Sequence, residues 1–346
     1  MHRRRRSKRT FCTKALSVHS KIPPQPIESV VLESAAGLRV TLLNLGATIQ
    51  SIQVPTAVGA VDVILGFTNH DDYWADSEFL GSTVGRFANR IQGAGFSLGG
   101  RTYQLDANET STGHCLHGGR AGFHKQFWTL EPTVDGTSAV CRYVSPDGDG
   151  GFPGNLEVSV TYQLDRDCRL VIDYRATADR DTVVSLANHA YFNLDRDQCT
   201  IDTHQISIDA ASFTPVDEGR IPTGELRDVS ASGFDLRQST AIGDGVNGLQ
   251  FDHNFVLPES DGRLRRAAEL YSPNSGLRLR VHTTQPGLQL YTGDHLTGPF
   301  HSRQGLCLEA QGFPDAPNQP TFPSARLAVG GLYRQTTIYE FLADKS

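Results

Sequence analysis

The sequence predicts an all-β protein, a large antiparallel β-sandwich, on three observations. Apolar and polar residues alternate over successive short runs, these runs end in Gly, Pro, Asn or Asp turns, and no regular helical crossover separates them. The chain has 346 residues, 38% of them hydrophobic, with 34 glycines and 17 prolines, so both a large core and many turns are provided for. Length alone would suggest about two domains, but all-β sandwiches run to ~200–250 residues as one unit. From about residue 26 onward no linker, low-complexity tract or break in composition appears. The expected organisation is a basic, disordered arm over 1–25 and a single domain over 26–346.

The elements follow in chain order. Asn69-His70-Asp71-Asp72-Tyr73-Trp74 reads as a short helical turn. Phe96-Ser97-Leu98 and Thr102-Tyr103-Gln104-Leu105 flank Gly99-Gly100, a two-residue hairpin signal. Leu156, Val158, Val160, Tyr162 and Leu164 alternate along one strand. The turn Asp165-Arg166-Asp167 leads to a hairpin partner marked by Cys168, Leu170, Ile172, Tyr174 and Ala176. Leu277, Leu279 and Val281 mark another strand after the turn residues Ser272–Gly276.

Charge is distributed unevenly. The formal net charge is −6, yet residues 1–27 carry eight basic residues and no acidic one, leaving 24 basic against 38 acidic in the remainder, or −14. An acidic body argues against nucleic-acid binding by the folded domain. The arm suits a solvated tail, a polyanion contact or an address signal, but no apolar segment follows its arginines as a secretory signal requires. No apolar run approaches the ~18 residues of a membrane span. The six cysteines (12, 115, 141, 168, 199 and 307) lie at least 26 residues apart, without Cys-x-x-Cys spacing. Scattered thiols fit a reducing, cytoplasmic setting, and each is expected to behave as a small buried hydrophobe.

Two segments carry the chemistry. In Leu186–Leu194 a strand period of two puts His189, Tyr191 and Asn193 on one face and Ala190, Phe192 and Leu194 on the other. Leu306–Gln311 repeats the pattern with Glu309 and Gln311. A base, an acid and hydrogen-bonding neighbours on polar strand faces point to proton transfer.

Four further motifs concentrate polar and glycine residues. In Gly85–Ile91, Arg90 either forks hydrogen bonds to substrate oxygens or pairs a surface carboxylate. In Leu116-His117-Gly118-Gly119 the glycines let backbone approach a ligand. With His114, His117 also forms His-x-x-His, but no companion cluster accompanies it and no metal is expected. Phe251-Asp252-His253-Asn254-Phe255 sets a carboxylate between apolar residues, as a hydroxyl-gripping wall or as an ordinary turn. Residues 308–324 hold four prolines, at 314, 317, 320 and 323, that stiffen a loop just after Glu309.

Taken in order, GRFANRI at 85–91, LHGG at 116–119, SPDGDGGFPGNLEVSVTY at 145–162, NHAYFNL at 188–194, DHNF at 252–255, GLQLYTG at 287–293 and LEAQGFPDAPNQPTFPS at 308–324 resemble the aldose 1-epimerase family. The likeness runs from about Ile27 to Phe341. It implies a β-sandwich enclosing a sugar cleft, no metal or organic cofactor, and a free aldose as the partner molecule. It further implies Glu309 as general base, His189 as general acid and His117 as a second pocket histidine, with Asn89, Arg90, Tyr191, Asp252 and Gln289 contacting the sugar. Of the last, Gln285 is a nearby competitor. The chain departs from the family at Ala190, where serine is frequent, and at Asp294-His295, where asparagine plus an aromatic is common.

The activity so implied is exchange of α and β anomers: one proton leaves the C1 hydroxyl, another reaches the ring oxygen, and the ring opens and recloses. Nearby Asp252 is expected to keep His189 protonated. A hexose 6-phosphate epimerase would need added cations, a pure sugar-binding module would not need the acid/base pair, and a glycoside hydrolase would need a second catalytic carboxylate. Monomer and dimer are both compatible with the sequence.

The arm over 1–25 has no alternation and no apolar face, so it offers nothing to offset the entropy of ordering it. Its deletion is expected to leave the melting temperature unchanged; a clear drop in a calorimetric scan would mean that it docks on the domain.

Overall fold

The computed structural model describes residues 23–230, 232–243, 250–258 and 262–344. Most of the basic arm, and Cys12, lie outside the described residues. Alternating sequence becomes strand as expected. Leu156–Leu164 pairs antiparallel with Arg169–Ala178, with Leu156 opposite Ala178 and Leu164 opposite Leu170. Gly95–Leu98 pairs with Arg101–Gln104 through Gly99 and Gly100, both at positive φ as a primed hairpin turn requires. The turn at Asn69–Trp74 contains the one α-helix among the described residues, Asp72–Ala75.

Two large antiparallel sheets dominate. The nine-stranded sheet runs Thr129–Pro132, Ser138–Ser145, Leu156–Leu164, Arg169–Ala178, Tyr333–Ala343, Leu277–Thr283, Arg265–Tyr271, Gln205–Ile208 and Thr240–Ala241. The six-stranded sheet runs Tyr191–Phe192, Leu306–Gln311, Gly287–Tyr291, Asp252–Val256, Ser212–Thr214 and Arg227–Asp228. A four-stranded sheet over Ser29–Asp62 packs against the same core. Tyr162, Tyr174 and Tyr339 from the nine-stranded sheet meet Phe192, Phe255, Leu288, Leu290, Leu306 and Leu308 from the six-stranded one in a single hydrophobic cluster. Phe192 and Tyr339 make an edge-to-face contact across the layers at 5.0 Å.

The six-stranded sheet therefore has one apolar face inside the sandwich and a second face left for other work. Register decides what stands there. Asn254, Gln289 and Glu309 lie side by side across three strands, and Asp252, Tyr291 and Cys307 form the next such row. Every second residue shares a face, so both rows project away from the core.

Leu186–Leu194 is not a continuous strand: Ala187–Asn188 pairs with Thr83–Val84, Tyr191–Phe192 pairs with Leu306–Cys307, and His189–Ala190 bridge the two. Ala190, Phe192 and Leu194 enter the core as the alternation requires. Asn193 does not join the polar wall, because its amide donates to the Gln304 carbonyl at 2.7 Å and accepts from Asp195 N–H at 3.0 Å. Five described cysteines carry free thiols. Cys115, Cys141 and Cys307 are buried, but Cys168 is only half-buried and Cys199 is exposed, against the expectation for those two.

Phe192 sits at the closest aromatic contact between the sheets, so Phe192→Ala is expected to cost about 3–5 kcal/mol. A urea titration showing less than about 1 kcal/mol would remove it from the core.

Candidate active site

The outward face of the six-stranded sheet is roofed by loops, leaving a cavity of about 200 Å³ lined by Glu309, His189, His117, Tyr191, Asp252, Arg90, Asn89, Phe79, Tyr291, Arg220 and His295, among others. Glu309 projects from the middle of Leu306–Gln311 and is 2% exposed. Its Oε1 lies 3.8 Å from His189 Nε2, and its Oε2 has no protein partner. His189 Nδ1 faces the Cys307 thiol at 3.5 Å. Gln311 shares the strand face with Glu309 but does not line the cavity.

Burial governs both titrating groups. With no cation bonded to it, the Glu309 carboxyl is pushed up to about 8, chiefly by desolvation and further by the Asp252 charge. His189 is pushed down to about 4 by desolvation. Asp252 acts on His189 in the expected direction, raising its pKa, but less strongly than burial lowers it. The sequence-based picture of a protonated His189 therefore does not describe the empty cavity at neutral pH. The pair still holds one proton, but it rests on the carboxyl.

His117 is neutral as well, held well below the usual imidazole range by burial and further by the Arg90 charge. Asn89 N–H donates to His117 Nδ1 at 3.2 Å, which leaves the hydrogen on Nε2. Ligand atoms of His117, His189 and Glu309 lie within 4.8 Å of one another. A cation shared by all three would need the His117 Nε2 lone pair, which the hydrogen occupies, so the donor set suits hydrogen bonding to a sugar oxygen better than metal ligation.

The other expected residues divide into those that line the cavity and those that support it. Asn89 accepts the Arg90 N–H at 2.8 Å on its side-chain oxygen. Of the two readings of Arg90, the structure shows the carboxylate pairing: Nε and Nη2 fork onto Glu109 at 2.9–3.1 Å, while Nη1 faces Asp252 at 3.5 Å. Tyr191 packs beside His189, ring centroids 5.1 Å apart and tilted by 48°. Asp252 stands on strand Asp252–Val256, not on a turn, and is held ionised by Arg90 and Arg220 against the cost of its burial. Gln289 does not line the cavity; its amide sits behind Asp252 and donates to Oδ1 at 2.7 Å. Gln285 lies apart, its carbonyl accepting from Arg265.

Three motif readings change with the tertiary context. A Cβ on Gly118 would fall 2.0 Å from the Gly85 carbonyl oxygen, so this glycine admits another stretch of the chain, not a ligand. His114 leaves its His-x-x-His partner: its Nδ1 accepts from Gly93 N–H at 3.1 Å, and its ring fills the space beside Gly219. In the Pro-rich loop Asp315 is fully buried, accepts the Gln92 N–H at 2.9 Å and donates its own N–H to the Arg90 carbonyl at 2.8 Å. The loop thereby fixes the backbone that presents Arg90.

Sequence reasoning missed Phe79, Glu109, Arg220 and Tyr291. Phe79 packs at a tilt against His117 and edge-on against His124, both at 4.6 Å, and at a tilt against His189 at 5.6 Å. Four cavity residues, Phe79, Asn89, His117 and Arg220, have φ between 50° and 63°. This conformation costs a non-glycine residue about 1 kcal/mol or more and concentrates at functional sites. The sequence carries no signal for it beyond the asparagine.

The profile of the aldose 1-epimerase family matches residues 28–340. The chain belongs to the aldose 1-epimerase family. It is 43% identical over 324 residues to the galactose mutarotase of Mus musculus, covering 88% of this chain and 91% of the relative. It is 37% identical over 337 residues to the aldose 1-epimerase of Escherichia coli K12, covering 92% and 96%. Among solved structures, the aldose epimerase homologue from C. elegans superposes with a TM-score of 0.86 at 30% identity, covering 92% of this chain and all of that one. The epimerase-family likeness spans both sheets and every residue of the cavity.

Glu309 keeps its proton up to about pH 8 when folded, whereas an unfolded glutamate loses it near 4.5. Its contribution to stability is thus full below pH ~4.5 and lost as pH rises toward 8. Glu309→Gln removes this loss. Its melting temperature is expected to exceed that of the parent protein by a margin that grows from pH 5 to pH 8.5; a margin independent of pH would contradict the buried neutral carboxyl.

Proposed function

We propose that this chain is a mutarotase, an isomerase that interconverts the α and β anomers of free aldoses such as D-galactose and D-glucose. The observation that carries the proposal is a buried carboxyl and a buried imidazole 3.8 Å apart in a polar cavity. Anomer exchange requires a base at the C1 hydroxyl and an acid at the ring oxygen. Both oxygens are bonded to the same carbon, so base and acid must lie close together, yet far enough apart to receive an oxygen each.

In the proposed cycle Glu309 takes the C1 hydroxyl proton and His189 protonates the ring oxygen. The ring opens to the aldehyde, rotation about C1–C2 presents the other carbonyl face, and the reversed transfers close the other anomer. Since the resting proton lies on Glu309, binding of the sugar must draw it to His189 before the carboxylate acts. Each transfer supplies about 10²–10⁴-fold by general acid–base catalysis. His117 offers its Nε2 hydrogen to a sugar oxygen, and Asp252 and Arg90 hold hydroxyls away from C1. The relatives named galactose mutarotase and aldose 1-epimerase support the same reaction.

The acting unit is proposed to be residues 26–346, working in the cytoplasm as a monomer or dimer, with the 1–25 arm dispensable for catalysis. No helix among the described residues is long and apolar enough to cross a membrane.

Polarimetry on freshly dissolved α-D-galactose and α-D-glucose should show accelerated approach to equilibrium rotation, abolished by Glu309→Gln. Retention of more than about a tenth of kcat in that variant would exclude Glu309 as the base. The pair is competent only with one proton, so kcat/KM should hold between about pH 4 and pH 8 and fall outside both limits. A profile with an acid limb near 6.5, where free imidazole titrates, would contradict the buried pair.

A further inference from the structure

Asp252 is more heavily committed than a hydroxyl-gripping carboxylate should be. Its Oδ1 accepts from Gln289, and its Oδ2 faces both Arg90 and Arg220. Of the three donors, Gln289 and Arg90 are fixed. Gln289 sits in mid-strand, and the Arg90 side chain is 9% exposed, with its forked edge taken by Glu109. Arg220 is different. It stands on the loop 217–222, its side chain is 36% exposed, and it lies where the catalytic cavity meets a second cavity of about 140 Å³ lined by Val216, Gln250, Phe251 and His253.

The Arg220 loop is built for rigidity in the backbone. Asp217 exchanges two backbone hydrogen bonds with Ile221 and Arg220 and accepts Ile221 N–H on its carboxylate at 2.9 Å. Arg220 is held at φ 61°, so this strain is maintained by the surrounding contacts. The guanidinium donates through Nη1 to Asp252, and Nη2 lies 2.8 Å from His295 Nε2. A guanidinium has five N–H donors, so donors remain for the cavity that Arg220 lines.

We propose that Arg220 is a specificity-determining residue that hydrogen-bonds, together with Asp252, a hydroxyl of the aldose on the ring edge remote from C1. The inference rests on the mutarotase reading, which sets C1 at Glu309. Asp252 stands two strands across from Glu309 and one two-residue step along. Strand geometry puts their Cα atoms roughly 12 Å apart. With both side chains reaching inward, roughly one sugar ring fits between them, and whatever meets Asp252 and Arg220 is the far side of that ring. Arg90, whose fork is closed by Glu109, cannot supply the bidentate contact that the sequence suggested for it; Arg220, with Nη1 on Asp252 and Nη2 beside His295, keeps further N–H donors with which to reach a hydroxyl.

The test compares Arg220→Ala and Arg220→Lys with the parent protein, by calorimetric binding and by polarimetry, on D-galactose and its 2-, 3-, 4- and 6-deoxy derivatives. Arg220→Ala should weaken galactose binding about ten- to a hundredfold, the size of a hydrogen bond to a charged donor. Most of the kinetic loss should appear in KM, with Arg220→Lys recovering part of it. The penalty should vanish for one of the 3-, 4- or 6-deoxy sugars and persist for the 2-deoxy sugar. Unchanged or tighter galactose binding by Arg220→Ala would overturn the proposal, as would an equal penalty on every sugar, which would mean that Arg220 acts only through Asp252. Calorimetry reads binding whether or not the sugar turns over. A parent protein that binds galactose without mutarotation would defeat the catalytic reading and leave the Arg220 comparison intact.

Discussion

The desolvation of one sheet face shapes everything around the cavity. Glu309 occupies a mid-strand position that in an ordinary sandwich would carry an apolar residue or face water. Here both faces of Leu306–Gln311 are covered, one by the hydrophobic core and the other by loops. Removing the carboxyl from water without a bonded cation makes its charged form expensive. The same environment discharges His189 and His117. Three groups that would be ionised or half-ionised in water at neutral pH become neutral donors and acceptors, sharing a single mobile proton.

Cations in the structure are arranged so as not to undo this. Arg90 pairs with Glu109 and Asp252 instead of bonding to Glu309, and its charge lowers the Glu309 pKa less than burial raises it. Arg86, next to the cavity in sequence, is turned the other way and almost fully buried. Its guanidinium donates to the carbonyls of Ser145, Pro146, Pro153 and Gly154 and to the Ser145 hydroxyl. The glycine- and proline-rich stretch over 145–154 thus forms a socket for an arginine, which explains why such a segment accompanies GRFANRI without reaching the sugar cavity. A buried cation of this kind is costly unless hydrogen-bonded; both Nη atoms of Arg86 are satisfied, and only Nε lacks a partner. The socket also pins the segment that delivers Asn89 and Arg90.

Strain and rigidity are concentrated where geometry matters. Phe79, Asn89, His117 and Arg220 hold left-handed backbone around one cavity, and Asp315 ties the proline loop to the Arg90 strand. An acid and a base that must address two oxygens on one carbon tolerate little displacement. Loops alone would not give that precision, but loops hydrogen-bonded to one another and to a sheet do.

The sandwich, the hairpins at Gly99-Gly100 and Asp165–Asp167, and the apolar inward face of Ala190, Phe192 and Leu194 were all legible in the residue pattern. Period-two alternation is a local property, and burial on one face is all that it encodes. The motifs also named Glu309, His189, His117, Arg90 and Asp252 as candidates. What those residues are in context depends on the assembled fold. Proton placement between Glu309 and His189 depends on how completely loops distant in sequence exclude water. The commitment of Arg90 depends on Glu109, 19 residues away, and that of Asp252 on Arg220, 32 residues away. Gln289 fell behind Asp252, Asn193 turned aside, and Gly118 met Gly85 because strand register and loop packing, set by the whole chain, fix where a side chain ends. Pattern within a segment tells which face is apolar; which charge faces which is a property of segments brought together.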